Sequence, residues 1–213
     1  MRIAYVDGYK IRQTLDTDFN VIHRHEDNPT RYSPKFYIPR GQIWIDNKFK
    51  SETKSLVKAE KFWFEAKGMT YQAARKKLCR DFTQKGTPPN FIGKTQKKNG
   101  LTVHFVDGST VRRFLDPRFV CGGHDKVYDY VPRNQVWIDA LMNRRDLPHV
   151  LLHEITERRL MAKGMSYEAA HEFATAEERL SRRKAGGRYP GDEGYKVEQD
   201  ASAWLKKFIL AYA

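Results

Sequence analysis

The alternation of apolar and polar residues falls into a pattern that the chain writes twice. IAYV at 3–6 and VHFV at 103–106 are β-branched and aromatic runs, each followed by Asp-Gly. Such runs predict strands, and Asp-Gly, whose glycine takes positive φ at low cost, predicts a hairpin turn after each. IWID at 43–46 and VWID at 136–139, preceded by Pro39-Arg40 and Pro132-Arg133, predict a further strand in each half. Two helices are expected next. In the second half Asp146 and Pro148 start a helix over 147–163 that Gly164 stops, and Ser166 caps another over 167–184 with Glu168 in its first turn. Gly68 and Thr70 have the same stop and start roles in the first half. A last helix is expected from Val197, Ala201, Trp204, Leu205, Phe208, Ile209 and Tyr212, which form one face at helical spacing.

Three matched blocks in the same order point to internal duplication: VDG at 6 and 106, WID at 44 and 137 (counted at the tryptophan), and KGM at 67 and 163. The expected architecture is α+β: two tandem repeats, each a small antiparallel sheet followed by a helical hairpin, plus a C-terminal helix. Residues 1–84 form a basic, degenerate repeat, 85–100 a polar linker, 101–184 the second repeat, and 185–213 a loop and the terminal helix.

Composition narrows the class. Of 213 residues, 40% are hydrophobic, and no apolar run approaches the roughly 18 residues of a membrane helix, so a globular protein without membrane association is expected. The early charges in MRIAYVDGYK do not suit a secretory leader, and two cysteines, Cys79 and Cys121, are too few for a disulfide framework or a Cys-rich zinc module. A cytoplasmic location is the expectation.

The net charge of +13 is uneven: residues 1–100 hold 21 Lys and Arg against 10 Asp and Glu, residues 101–213 hold 18 against 16. Arg75, Lys76, Lys77 and Arg80 cluster on one predicted helix, with Lys94, Lys97 and Lys98 beyond it and Tyr71, Phe82 and Phe91 interspersed. This is a candidate polyanion-binding surface for an acidic protein or a nucleic acid. An ordinary solvated helix face accounts for the same residues.

The chemistry concentrates in HVLLHEITERRLMAKG. His153, Glu154 and Glu157 make HExxE, in which residues i and i+4 share a helical face and can hold a metal while the intervening Glu acts as base. With the turn near Met165, an antiparallel hairpin puts His171 level with Glu157 and Glu178 level with His153. Residues 171 and 178, seven apart, are rotated by about 700° at about 100° per residue and so share a face. At the matching positions of the first repeat stand Val57, Lys58, Lys61, Arg75 and Phe82, a replacement of the whole set. Without a metal, HEITE also reads as a solvated amphipathic stretch.

VWID, a short loop and PHVLLHEITERRL resemble the strand, loop and helix of zincin-type metallopeptidases, including the ImmA/IrrE group. The wider pattern, WID, an HExxE helix and KGM-x-Y-x-x-AH, is similar to that of uncharacterised bacterial and phage proteins. The zincin resemblance implies a zinc cofactor held by His153, with Glu154 activating water and Glu178 about where a third ligand stands. Glu157 departs from the His expected there.

The remaining candidates are weaker. His124, in CGGHDKVY, follows two glycines that allow close backbone approach and could face the site from a loop, although a hydrogen-bonded turn is the stronger expectation. His149 is expected to be exposed, His23 and His25 to lie in a polar loop, Asp7 and Asp107 to be turn residues, and Trp44 and Trp137 to be core. The functional expectation is a metal-dependent, peptidase-like hydrolase with metal ligands His153, Glu157, His171 and Glu178 and catalytic Glu154. The competing expectation is a non-catalytic binding or structural protein with at most a structural metal; four protein ligands would favour that reading and three would favour catalysis.

Overall fold

The computed structural model describes residues 2–25, 37–66 and 68–189. Its first strand, β1 (Arg2–Val6), does not enter a hairpin at Asp7-Gly8. Asp7 instead caps helix α1 (Gly8–Thr14), accepting from the Lys10 amide at 3.1 Å. The chain returns through β2 (Ile22–Arg24) and β3 (Gln42–Asp46), giving a sheet of order β1-β3-β2 in which β1 and β3 are parallel and β2 and β3 antiparallel. A 3-10 turn (Asn47–Glu52), α2 (Thr53–Glu65) and α3 (Tyr71–Phe82) follow.

After β4 (Ile92–Lys98), the strand β5 (Leu101–Val106), α4 (Gly108–Phe114), β6 (Gly122–His124) and β7 (Gln135–Asp139) build a second sheet of order β4-β5-β7-β6. Here β5 and β7 are parallel, and β6 is antiparallel to β7. Helices α5 (Leu147–Ala162) and α6 (Tyr167–Lys184) complete the described chain.

Both sheets are therefore mixed, not antiparallel as the sequence suggested. The misleading signal was Asp-Gly. In both halves the aspartate is a helix cap, whose oxygen accepts amides that the first helical turn leaves unpaired. The glycine is required by close packing: a Cβ on Gly8 would lie 1.9 Å from Asp46 Oδ2, and one on Gly108 1.9 Å from Asp139 Oδ2. The true hairpin falls inside the expected linker, where Asn99 (φ 51°) and Gly100 (φ 76°) join β4 to β5. β4 is a sheet edge exposed along most of its length, so it lacks the apolar alternation that marks a half-buried strand.

The helical hairpins match expectation closely. Thr70 accepts from the Ala73 amide and Ser166 from the Ala169 amide, while Gly68 and Gly164 take positive φ just beyond α2 and α5. Asp146 makes no capping bond; it is buried and bonded to arginines. One apolar core joins the two sheets, with Ile22, Ile43 and Ile45 of the first and Val103, Val136 and Ile138 of the second packed together with Val150, Leu151 and Ile155 of α5. The expected C-terminal helix lies outside the described residues. Among those described, no helix is long and apolar enough to cross a membrane, and both cysteines are free.

Candidate metal centre

Helix α5 is buried around much of its circumference, so its polar side chains must find partners inside the protein. Val150, Leu151 and Ile155 face the apolar core. The polar side carries His153 and Glu157, which are 8% and 4% exposed. From α6, His171 brings Nδ1 to 2.7 Å from Glu157 Oε2 and 3.2 Å from His153 Nε2. His153 Nε2 closes the triangle at 3.4 Å from the same oxygen. Donors about 2.0–2.2 Å from a tetrahedral ion stand about 3.4 Å apart, so two edges of this triangle already fit a zinc-sized ion and the third needs to open by about 0.7 Å. The donor set of two imidazoles and one carboxylate is one that zinc accepts.

Glu178 stands elsewhere. Its Oε2 is 3.0 Å from His153 Nδ1, on the other nitrogen of the ring, close enough for a charge contact although off the line of an ideal hydrogen bond. Its Oε1 accepts from Arg182 Nε and Nη2 at 2.8 and 2.7 Å. Arg182 continues to Asp146, and Asp146 to Arg12 of the first half, at 2.7 and 2.8 Å. The expected levels of the two pairs are thus found, but Glu178 braces a candidate ligand where the sequence had it joining the ligand set.

The charges follow this geometry. Burial opposes ionisation of His153, yet Glu157 and Glu178 outweigh it and hold its pKa well above the ordinary imidazole range. Burial would raise Glu157, but His124, His153 and His171 pull it far below the usual carboxylate range. Glu178, despite burial, is lowered to about 2 by Arg182 and His153. Glu154 is raised, first by burial and then by the Glu157 charge; it makes no hydrogen bond or ion pair with the described residues.

His124 belongs to this cluster. Fully buried at the end of β6, it brings Nε2 to 2.9 Å from Glu157 Oε1. The signal for it was the preceding Gly-Gly: a Cβ on Gly122 would meet Glu154 Oε1 at 2.9 Å, and one on Gly123 the Tyr128 ring at 2.2 Å. His153, Glu154, Glu157, His171 and Glu178 line a cavity of ≈360 Å³, together with His23 and Arg118. His171, its side chain 36% exposed, is the most open of the donors.

Other expected residues are placed differently. His149 is buried, with Nδ1 2.8 Å from Ser181 Oγ. His23 lies in β2, and burial lowers its pKa to about 3. Arg75 is not part of an open basic face: it pairs with Asp116 at 2.8 Å and lies 4.4 Å from the centre of the Tyr128 ring. Lys76, Lys77 and Arg80 are exposed, Arg80 paired with Asp81 at 2.8 Å. At the first-half positions matching Glu154 and Glu178, Lys58 Nζ sits 4.6 Å from the centre of the Phe82 ring, a cation–π contact where the second half has two acids.

The chain matches no protein-family model, no curated protein and no solved structure. Its site is therefore read from its own geometry.

Proposed function

We propose that the protein is a metal-dependent hydrolase of the peptidase type, with a divalent ion, zinc by preference, held by His153, Glu157 and His171. The observation that carries the reading is that three donor atoms from two helices converge at the wall of a cavity while Glu178 meets His153 at its other ring nitrogen. Three protein ligands leave a tetrahedral ion one open position, the arrangement of catalytic rather than structural sites. A bound ion supplies Lewis acidity and lowers the pKa of water at that position. Glu154, which lines the same cavity, would be the proton acceptor for water there: burial and the Glu157 charge push its pKa up to about 8, which keeps it largely protonated near pH 7, and a cation bound nearby would lower it. The Glu178 charge, 3.0 Å from Nδ1, favours a hydrogen on that nitrogen, which would leave the Nε2 lone pair for the ion.

The same reading treats the chain as two tandem repeats of which one lost, or never gained, the metal site. Matching contacts support duplication: Arg12 Nη1 donates to Phe19 O at 2.9 Å and Arg112 Nη1 to Phe119 O at 3.0 Å, while Trp44 and Trp137 each donate to the glutamine two residues earlier at 3.0 Å. The first repeat then serves as scaffold and carries the basic surface for an acidic partner.

One observation favours the non-catalytic reading instead: Glu157 already accepts from imidazoles on both oxygens, so that carboxylate is satisfied without an ion. Metal analysis of untagged protein decides between them. The hydrolase reading expects about one ion per chain, lost in a His153→Ala, Glu157→Ala double variant. No metal in the folded wild type, or the wild-type amount in the double variant, would reject the site.

A further inference from the structure

His124 lies close enough to Glu154 and Glu157 for the three to hold a cation, so its position alone leaves open whether it binds an ion or steers a ligand. The hydrogen bonding of its ring decides this. The Lys126 amide donates to His124 Nδ1 at 3.2 Å, so Nδ1 is an acceptor and carries no hydrogen. A neutral imidazole has one N–H, which must then be on Nε2, and Nε2 donates it to Glu157 Oε1 at 2.9 Å. With Nδ1 engaged, the ring cannot move its hydrogen there and free an Nε2 lone pair for a metal; His171 also turns a nitrogen to Glu157, but its ring, 36% exposed, can carry its hydrogen on Nε2 and leave Nδ1 free.

Resting on the metal reading above, we infer that His124 is a positioning residue for Glu157: it holds one carboxylate oxygen so that the other is directed at His153 and His171. The two oxygens divide in this way. Oε1 takes the His124 hydrogen, and Oε2 lies 2.7 Å from His171 Nδ1 and 3.4 Å from His153 Nε2. A carboxylate free to rotate would offer an ion either oxygen or both, whereas this one presents a single oxygen in a fixed place.

The His124 ring is held firmly enough for the task. It is fully buried, its backbone is paired opposite Val136 in the sheet, and its carbonyl accepts from the Val127 and Tyr128 amides at 3.1 and 3.0 Å. Gly122 and Gly123 are what let the strand end come this near to α5 and to Tyr128. In the first sheet the equivalent ladder position is Arg24, opposite Ile43, and its guanidinium lies 3.7 Å from the centre of the Phe64 ring.

Two polar variants separate the two edges of the ring. His124→Gln can place an amide N–H about where Nε2 stands and reach Glu157. His124→Asn can still accept from the Lys126 amide but is too short to reach Glu157. Zinc alone is titrated into wild type and both variants against a chromophoric chelator, with circular dichroism to confirm the fold.

The expected result is one ion per chain throughout, near wild-type affinity for His124→Gln and an affinity about 10–100-fold weaker for His124→Asn. Equal, undiminished binding by both variants would overturn the positioning role. Equal loss of the ion from both would overturn it too, by making the imidazole itself a ligand. If wild type binds no zinc, the metal reading fails and this inference falls with it, an outcome distinct from the other two.

Discussion

His153 is gripped at both ring nitrogens by different carboxylates, Glu178 Oε2 at 3.0 Å from Nδ1 and Glu157 Oε2 at 3.4 Å from Nε2. Only the Nε2 side faces the other donor atoms. Glu178→Gln is therefore expected to leave one ion per chain but weaken zinc binding by about 10–100-fold. His171→Ala, which removes a donor, should reduce binding far more. Chelator competition measures both, and a Glu178→Gln variant that loses all its metal would make Glu178 a ligand after all.

Glu154→Gln should keep the fold and the metal, because Glu154 is outside the His153, Glu157 and His171 triangle, and should abolish turnover by removing the proton acceptor. The comparison needs a substrate, for which peptides are the first class to screen. Full activity in this variant would show that the proton goes elsewhere.

Zinc binding should release a proton from His153. Its pKa is raised in the metal-free protein, so near pH 7 the ring carries a proton that the ion must displace, while Glu157, held low, has none to give; Glu154, pushed up to about 8, carries one of its own, so the count is taken in Glu154→Gln. Apparent affinity should then rise as pH increases towards the raised pKa of His153, by about tenfold per pH unit, and level off above it. The sign is opposite for the metal-free fold: the His153 contribution is fully present below its unfolded pKa of about 6.5 and is lost as pH rises through the higher folded value. Calorimetry in two buffers of different ionisation enthalpy counts the protons. A count near zero at pH 7 would contradict the charged His153.

The basic surface divides into free and committed charges. Lys76→Glu should weaken retention on an anionic resin without altering stability, since its side chain is exposed, and Lys77→Glu should do the same at a small cost in stability, because its Nζ lies 5.6 Å from the centre of the Phe62 ring. Arg75→Ala should instead destabilise the fold by about 3 kcal/mol, because it strips Asp116, which is 0% exposed, of its arginine. Chemical denaturation and salt elution, run on the same variants, separate the two effects. Equal elution shifts from Lys76, Lys77 and Arg75 changes would remove the distinction.

The helices were legible because their ends are encoded locally. Ser166 and Thr70 reach amides three residues away, and Gly164 and Gly68 supply the positive φ that ends a helix. Asp-Gly serves turns and helix starts alike, and what distinguishes them, the carboxylates of Asp46 and Asp139 lying against the glycines, is 38 and 31 residues away. Asn99-Gly100 carries no such signal, because β4 has no apolar alternation to announce a hairpin. In the site, helical spacing paired His153 with Glu178 and Glu157 with His171, but it carries no information on which ring nitrogen is touched. The part His124 plays depends on a three-residue strand and a tautomer, neither of which leaves a periodic trace.

Arg12 gives the candidate centre an address outside its own half of the chain. Its guanidinium joins Asp46 at 3.0 Å to Asp146 at 2.8 Å, and Asp146 passes the contact on through Arg182 to Glu178 and so to His153. Thr175 of α6 likewise donates to Asp18 at 2.8 Å. A cut between the halves at 83–100 would leave Asp146, which is 0% exposed, with one arginine in place of two. Breaking a buried pair costs about 3–5 kcal/mol, a large share of the roughly 5–15 kcal/mol that holds a typical domain together. For anyone preparing a minimal fragment, the piece that can carry the site must include both Arg12 and Arg182, and the half without a single donor atom cannot be trimmed away.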